Sequence, residues 1–300
     1  MAIDSASSRW IELTIPNPCW GSSTRRAKTT WSVSESSNSL IETMRVARRL
    51  MVIALVTFVV SPLTVARADT VRSAPSGEIV VSAAASLQEG FTELAKEFRR
   101  VNPRSRVRFN FGSSTALVNQ IQSGAPVAVF ASADLASQDR LIQSGNVSSS
   151  PRLFARNTMR IVVKPGNPLK ITRVADLVRA KTVALCGKTA PCGTYAEVIL
   201  ARAGLSLPES SITRGLDAKA TLASVAFGDA DAAIVYATDV IAAGRSVLGV
   251  AIPPAQNMKA VYGISIVRGT RNQSLARAFV EFVMSKSGRA IMARHGFLAP

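Results

Sequence analysis

The chain predicts an α/β fold with mainly parallel sheets, and three observations carry that prediction. From residue 78 onward, short apolar runs alternate with segments of 3–4 apolar spacing, the pattern of strands returning through helices. At least two of those strands end in hydroxyl residues that open the next helix, at Ser86 and at Gly112-Ser113-Ser114-Thr115. The region has no repeats or low-complexity tracts; its one unusual stretch, Ser144–Pro151, reads as a loop.

The first strand, Glu78–Ala83, turns through Ala83-Ala84-Ala85 into a helix over Ser86–Arg100. Glu89 three residues after Ser86 predicts a capping box, and Phe91, Leu94, Ala95 and Phe98 form one apolar face. The second strand, Arg106–Phe111, alternates Val107, Phe109 and Phe111, and the helix Ser114–Ser123 follows. Further strands are expected at Val127–Ser132, Met159–Val163, Thr182–Cys186, Ala232–Tyr236, Val247–Ile252 and Val261–Val267. Further helices are expected at Leu135–Ser144, Val174–Ala180, Thr194–Ala203, Ala218–Phe227, Gln273–Met284 and Lys286–Ala293, with Asp134 capping the first of these. In open α/β sheets, ligands bind beyond the carboxyl ends of strands, where Ser86 and Ser114 stand. Two hydroxyl-bearing helix starts facing one cleft would supply amides, hydroxyls and positive dipole ends to an anion. The competing use of either serine is to cap its own helix, with Ser113 rather than Ser114 as the contact.

The N-terminal part reads differently. Residues 1–43 are rich in Ser, Thr and Asn, are broken by Pro16 and Pro18, and keep no apolar period. They read as a disordered extension, from a start codon placed too early or as a leader without structural role. Residues 44–68 read as a signal peptide: Arg45, Arg48 and Arg49, then the apolar run Leu50–Val60, then Ala66-Arg67-Ala68 before Asp69. The run is too short for the about 20 residues of a spanning helix. No cysteine follows it for lipid attachment.

The formal charge is +17, and residues 69–300 keep 28 basic against 15 acidic side chains, a net +13. Such a balance suits anion steering, an acidic envelope or nucleic acid, and export argues against nucleic acid. Arg99, Arg100, Arg104, Arg106 and Arg108 form the one basic cluster and read as a solvated helix end and strand face. Residues 69–300 hold two cysteines, Cys186 and Cys192. An even count in an oxidising compartment suggests a disulfide; a reducible pair or two free thiols stay open. Two thiols and the lone His295 fall short of a zinc site. No G-x-S-x-G is present, and a serine-hydrolase triad would depend on His295 at the end of the last helix, so no enzyme activity is expected. Ferric iron would want tyrosine and carboxylate oxygens, and Tyr195, Tyr236 and Tyr262 are scattered along the chain.

The runs AAASLQEGFTELAKEF, FNFGSSTALVNQIQSGAPVAVFASAD, VALCGKTAPCGTYAEVIL and DADAAIVYATDV occur in order. Over roughly residues 78 to 298 they resemble the periplasmic molybdate-binding proteins of bacterial ABC importers. The resemblance implies a type II periplasmic-binding fold, with two lobes, each a mainly parallel sheet flanked by helices, around a ligand cleft. Lobe one would hold residues 69–157 and 268–300, and lobe two 158–267. It also implies the ligand and its holders. Ser86 and Ser114 would donate hydroxyls, Tyr236 a phenol, and Cys192 and Ala218 backbone amides to molybdate or tungstate, with no direct metal coordination and no cofactor. Tyr236 has a competing use as a core ring. A Cys186–Cys192 bridge would hold the amide-donating loop in place. The chain departs from the family at Gly124-Ala125-Pro126-Val127-Ala128, where a carboxylate is usual. The implied partners are a membrane permease and an ATPase, and the protein is expected to be exported and monomeric. Other oxyanions, sulfate or thiosulfate, are the alternative ligands.

Overall fold

The structure is a computed structural model that describes residues 75–300; the expected extension at 1–43 and signal peptide at 44–68 lie outside the described residues. Strand β1 (Gly77–Ala84) passes through a 3-10 turn, Ala85–Leu87, into α1 (Gln88–Val101). β2 (Ser105–Gly112), α2 (Ser114–Gln122), β3 (Val129–Ser132) and α3 (Leu135–Gln143) follow, and then the twelve-residue β4 (Arg152–Val163). After a 3-10 turn at Val174–Arg179 come β5 (Val183–Cys186), α4 (Pro191–Arg202), β6 (Ile212–Gly215), α5 (Ala218–Ala226), β7 (Ala232–Tyr236) and α6 (Ala237–Ala243). The chain ends with β8 (Leu248–Ala251), β9 (Lys259–Ile266), α7 (Gln273–Met284) and α8 (Lys286–Arg294).

The strands form one path, β2-β1-β3-β9-β4-β7-β5-β6, with β8 against β4. At either end the pairing is parallel: β1 lies between β2 and β3, and β5 between β6 and β7. In the middle β9 and β4 run antiparallel to their neighbours. β4 changes partner along its length, pairing β9 up to Thr158 and β7 from Met159. It therefore stitches two sheet halves together. β9, within the 158–267 range, is hydrogen-bonded to β3 in the first half through Val129↔Ile266 to Ser132↔Gly263.

Burial explains the continuous apolar strands. Val81, Val129, Leu185 and Ile234 are fully covered because helices pack on both faces of a parallel segment. α1 buries Phe91, Leu94 and Phe98, the face its spacing predicts. Phe98 meets Phe279 of α7 edge-on at 5.5 Å, and Phe91 meets it at 6.2 Å. Each buried ring is worth about 1.5–3 kcal/mol over leaving it in water.

Several boundaries differ from expectation for identifiable reasons. β4 starts seven residues before the expected Met159, because Arg152, Arg156 and Asn157 break its apolar period. β6 and α6 were not expected: Ile212-Thr213-Arg214-Gly215 has no apolar run, and α6 is two turns long. α4 begins at Pro191 rather than Thr194, with proline at the first helical position where its missing N–H costs nothing. The expected helix at Val174–Ala180 is a 3-10 turn. The five clustered arginines are exposed, and Arg106 and Arg108 each lie 3.4 Å from Glu78.

Candidate functional site

β1, β2, β5, β6 and β7 all end at one place, and their carboxyl ends bring Ser86, Ser114, Cys192, Ala218 and Tyr236 to the lining of one small pocket. All five are 3 % exposed or less. No lysine or arginine side chain lines the pocket, and Asp217 is the one charged residue that does.

Ser86 departs from its expected local role. The turn Ala85–Leu87 precedes α1, so the helix begins at Gln88 with Leu87 as its cap residue, and no side chain caps it. The capping box with Glu89 does not form, because the serine sits inside the 3-10 turn instead of ahead of the helix. Its Oγ instead lies 2.9 Å from the Tyr262 hydroxyl. Glu89 accepts from Lys219 Nζ at 2.7 Å, joining α1 to α5.

Ser113 and Ser114 divide two roles between them. Ser113 caps α2, accepting from the Ala116 amide at 3.3 Å. Ser114 is the first helical residue, and its Oγ accepts from the Ala133 amide at 3.0 Å. The opposite wall is backbone. Cys192 is the second residue of α4 and Ala218 the first of α5. First-turn amides have no acceptor within their own helix. Pro191 has no amide to offer, and the Asp217 side chain is turned to the Ala220 amide at 3.0 Å. Cys186 and Cys192 are joined by a disulfide that ties the end of β5 to the start of α4.

Tyr236 ends β7, and its hydroxyl is buried without a hydrogen-bond partner in the protein. Burial pushes the phenol well above its usual pKa, so it stays protonated and keeps a proton to donate. The tyrosines are scattered in sequence but not in space. Tyr195 packs on Tyr236 at 6.4 Å and Tyr236 on Tyr262 at 6.1 Å. Tyr195 donates to the Ala133 carbonyl at 3.2 Å. Among the described residues no three His, Cys, Asp or Glu side chains gather as a metal ion would require. His295 is held by Glu93 at 2.7 Å and does not line the pocket. Asp134 caps α3, accepting from the Ser137 amide at 3.3 Å.

Sequence reasoning missed three neighbours. Tyr262 and Asn157 back Ser86, and they gave no signal because their contacts span more than 70 residues. Asp239 is fully buried beside Lys219, at 3.3 Å, and burial raises its pKa to about 6. The arrangement as a whole offers hydroxyls, amides and the positive ends of three helices to one point, the chemistry of an anion site.

The model of the bacterial extracellular solute-binding protein family matches residues 79–298. The molybdate-binding protein ModA of Mycobacterium tuberculosis is 37 % identical over 248 residues, covering 80 % of this chain and 94 % of that protein. The corresponding protein of Haemophilus influenzae is 29 % identical over 235 residues, covering 75 % and 92 %. Among solved structures, the periplasmic molybdate-binding protein of Azotobacter vinelandii superposes with a TM-score of 0.67 at 24 % identity, covering 74 % of this chain and 99 % of that one. The sulfate-binding protein SubI of Mycobacterium tuberculosis gives 0.65 at 19 % identity, covering 73 % and 86 %. Both share the periplasmic-binding-protein fold with this chain. The described α/β chain, with its strand ends converging on one pocket, belongs to the molybdate-binding family of bacterial extracellular solute-binding proteins.

Proposed function

We propose that this protein captures molybdate, and tungstate alongside it, outside the cytoplasm and delivers it to the permease of an ABC importer. Transport energy comes from a separate ATPase, and the binding protein acts as a monomer. The observation that carries the reading is a pocket lined by donors and no cation: the hydroxyls of Ser86, Ser114 and Tyr236 and the first-turn amides at Cys192 and Ala218. Molybdate is a dianion with four acceptor oxygens and no proton at neutral pH. Neutral donors match it, and each donor left unpaired in a closed site costs about 1–3 kcal/mol. Hydrogen phosphate would set donor against donor. A rigid cage sized for the longer Mo–O bonds would hold sulfate loosely. Molybdate and tungstate are nearly the same size, so this cage takes both.

The lobes that close on the ion are residues 69–157 with 268–300, and 158–267. Their junction is the point in β4, between Thr158 and Met159, where its pairing passes from β9 to β7. Membership of an extracellular solute-binding family supports export, which the signal at 44–68 would direct.

Calorimetric titration with molybdate, tungstate, sulfate and phosphate tests the reading. One-to-one binding of molybdate and tungstate, with at most weak heat from sulfate, is the expected result. Sulfate binding as tight as molybdate would make the protein a general oxyanion carrier. A folded sample that binds none of the four would overturn the proposal.

A further inference from the structure

Three hydroxyls face the pocket, and a hydroxyl can donate or accept. What fixes each one as a donor lies behind it. Ser114 Oγ accepts from the Ala133 backbone N–H at 3.0 Å, a donor that cannot reverse, so its own proton is left for the pocket. Tyr236 Oη has no protein partner at all. Ser86 is different: its partner is another hydroxyl, Tyr262 Oη at 2.9 Å, and that bond can run in either direction.

The direction is set one residue further out. Asn157 is 1 % exposed, and its Oδ1 accepts from the Thr158 amide at 2.9 Å. That bond fixes the amide's orientation and turns Nδ2 toward Thr238 Oγ1 at 2.8 Å and Tyr262 Oη at 3.3 Å. An amide NH2 only donates, so the Tyr262 oxygen is an acceptor there. The single phenol proton then goes to Ser86 Oγ, and burial keeps that proton on Tyr262. Ser86 accepts from behind and gives its own proton forward.

We propose that Tyr262 and Asn157, neither of which lines the pocket, are positioning residues that hold Ser86 as a donor and so make the site reject oxyanions that carry a proton. The inference rests on the oxyanion reading above but not on molybdate being the ion. Sulfate and hydrogen phosphate are both tetrahedral dianions and differ by one proton, so the change in their ratio when the relay is altered reports the polarity of Ser86.

Two variants reverse or release the relay. In Asn157→Asp the nearly isosteric carboxylate accepts the Tyr262 proton, Tyr262 accepts from Ser86, and Ser86 presents a lone pair to the pocket. In Tyr262→Phe the hydroxyl is gone and Ser86 is free to turn either way. Dissociation constants for molybdate, sulfate and phosphate are measured at pH 8, where phosphate is the hydrogen-phosphate dianion, directly or by competition. For Asn157→Asp, molybdate and sulfate affinity are expected to fall about tenfold, the scale of one hydrogen bond to a charged group. The phosphate-to-sulfate preference is expected to shift about tenfold toward phosphate. Tyr262→Phe is expected to move the same ratio in the same direction by less, and it tests the relay should the aspartate variant fail to fold. A uniform loss for all three ions, or no change in the ratio in either folded variant, would overturn the inference. Wild-type protein that prefers sulfate to molybdate would sink the proposed ligand and leave the ratio test intact.

Discussion

The two walls of the pocket are built on opposite plans. At the ends of β1 and β2 the candidate donors are side chains, Ser86 and Ser114, each held from behind by a buried hydrogen bond. At the ends of β5 and β6 they are backbone amides at Cys192 and Ala218, held by a disulfide, a helix cap and close-packed glycines. The first wall should be sensitive to what its residues are. The second should be sensitive to where its backbone lies and nearly indifferent to its own side chains.

The largest effect is expected on the amide wall from a change outside the five candidate residues. A Cβ at Gly193 would lie 2.1 Å from the Gly187 carbonyl oxygen, so α4 cannot start where it does. Gly193→Ala is expected to lower the unfolding midpoint and to weaken molybdate binding by about 100-fold or more, since a clash with backbone exceeds ordinary overpacking of about 1–3 kcal/mol. Wild-type affinity would mean that this wall contributes little. On the hydroxyl wall, Ser86→Ala and Ser114→Ala are each expected to weaken binding by about 1–3 kcal/mol in calorimetry. Both should also lower stability, Ser114→Ala because it strands the buried Ala133 amide and Ser86→Ala because it strands the buried Tyr262 proton; wild-type stability in either variant would contradict its buried support.

Removing the bridge with Cys186→Ala and Cys192→Ala together is expected to cost about 2 kcal/mol in denaturant unfolding, small because the closed loop is short. Binding should weaken with it but survive. Next comes a pH effect near both walls. Asp239 has a folded pKa of about 6, above its ordinary 3.8, mainly through burial. The folded state therefore holds the proton longer than the unfolded chain, and this group's contribution to stability declines between about pH 4 and pH 6 and levels off above. In Asp239→Asn that decline should vanish from unfolding curves taken across the window; an unchanged slope would assign the pH dependence elsewhere. The smallest effect is expected for Glu89→Gln, which breaks the Lys219 bond between α1 and α5. Both partners are partly exposed, so the loss should stay below about 1 kcal/mol, read as faster ion release.

The same contrast explains what could be read in advance. Ser86 and Ser114 were legible because strand, turn and hydroxyl follow one another locally, and the apolar runs located eight of the nine strands. Cys192 and Ala218 carry no side-chain signal, and only the family resemblance pointed to them. Ser86, which lines the pocket, also suggests a capping box that does not form, because a 3-10 turn and a capping box share the same local sequence. Tyr262 and Asn157 were invisible because Asn157 lies on the half of β4 whose apolar period is broken, and Tyr262 pairs with Ser86 across 176 positions. Non-local hydrogen bonds leave no periodic trace.

The most direct test of the site is a crystal structure of the molybdate complex, with the metal located by its anomalous signal. The account predicts one ion between the two walls, its oxygens within about 2.7–3.2 Å of Ser86 Oγ, Ser114 Oγ, Tyr236 Oη and the amides at Cys192 and Ala218. An ion found elsewhere, or one held by Lys219 or the exposed arginines, would contradict it.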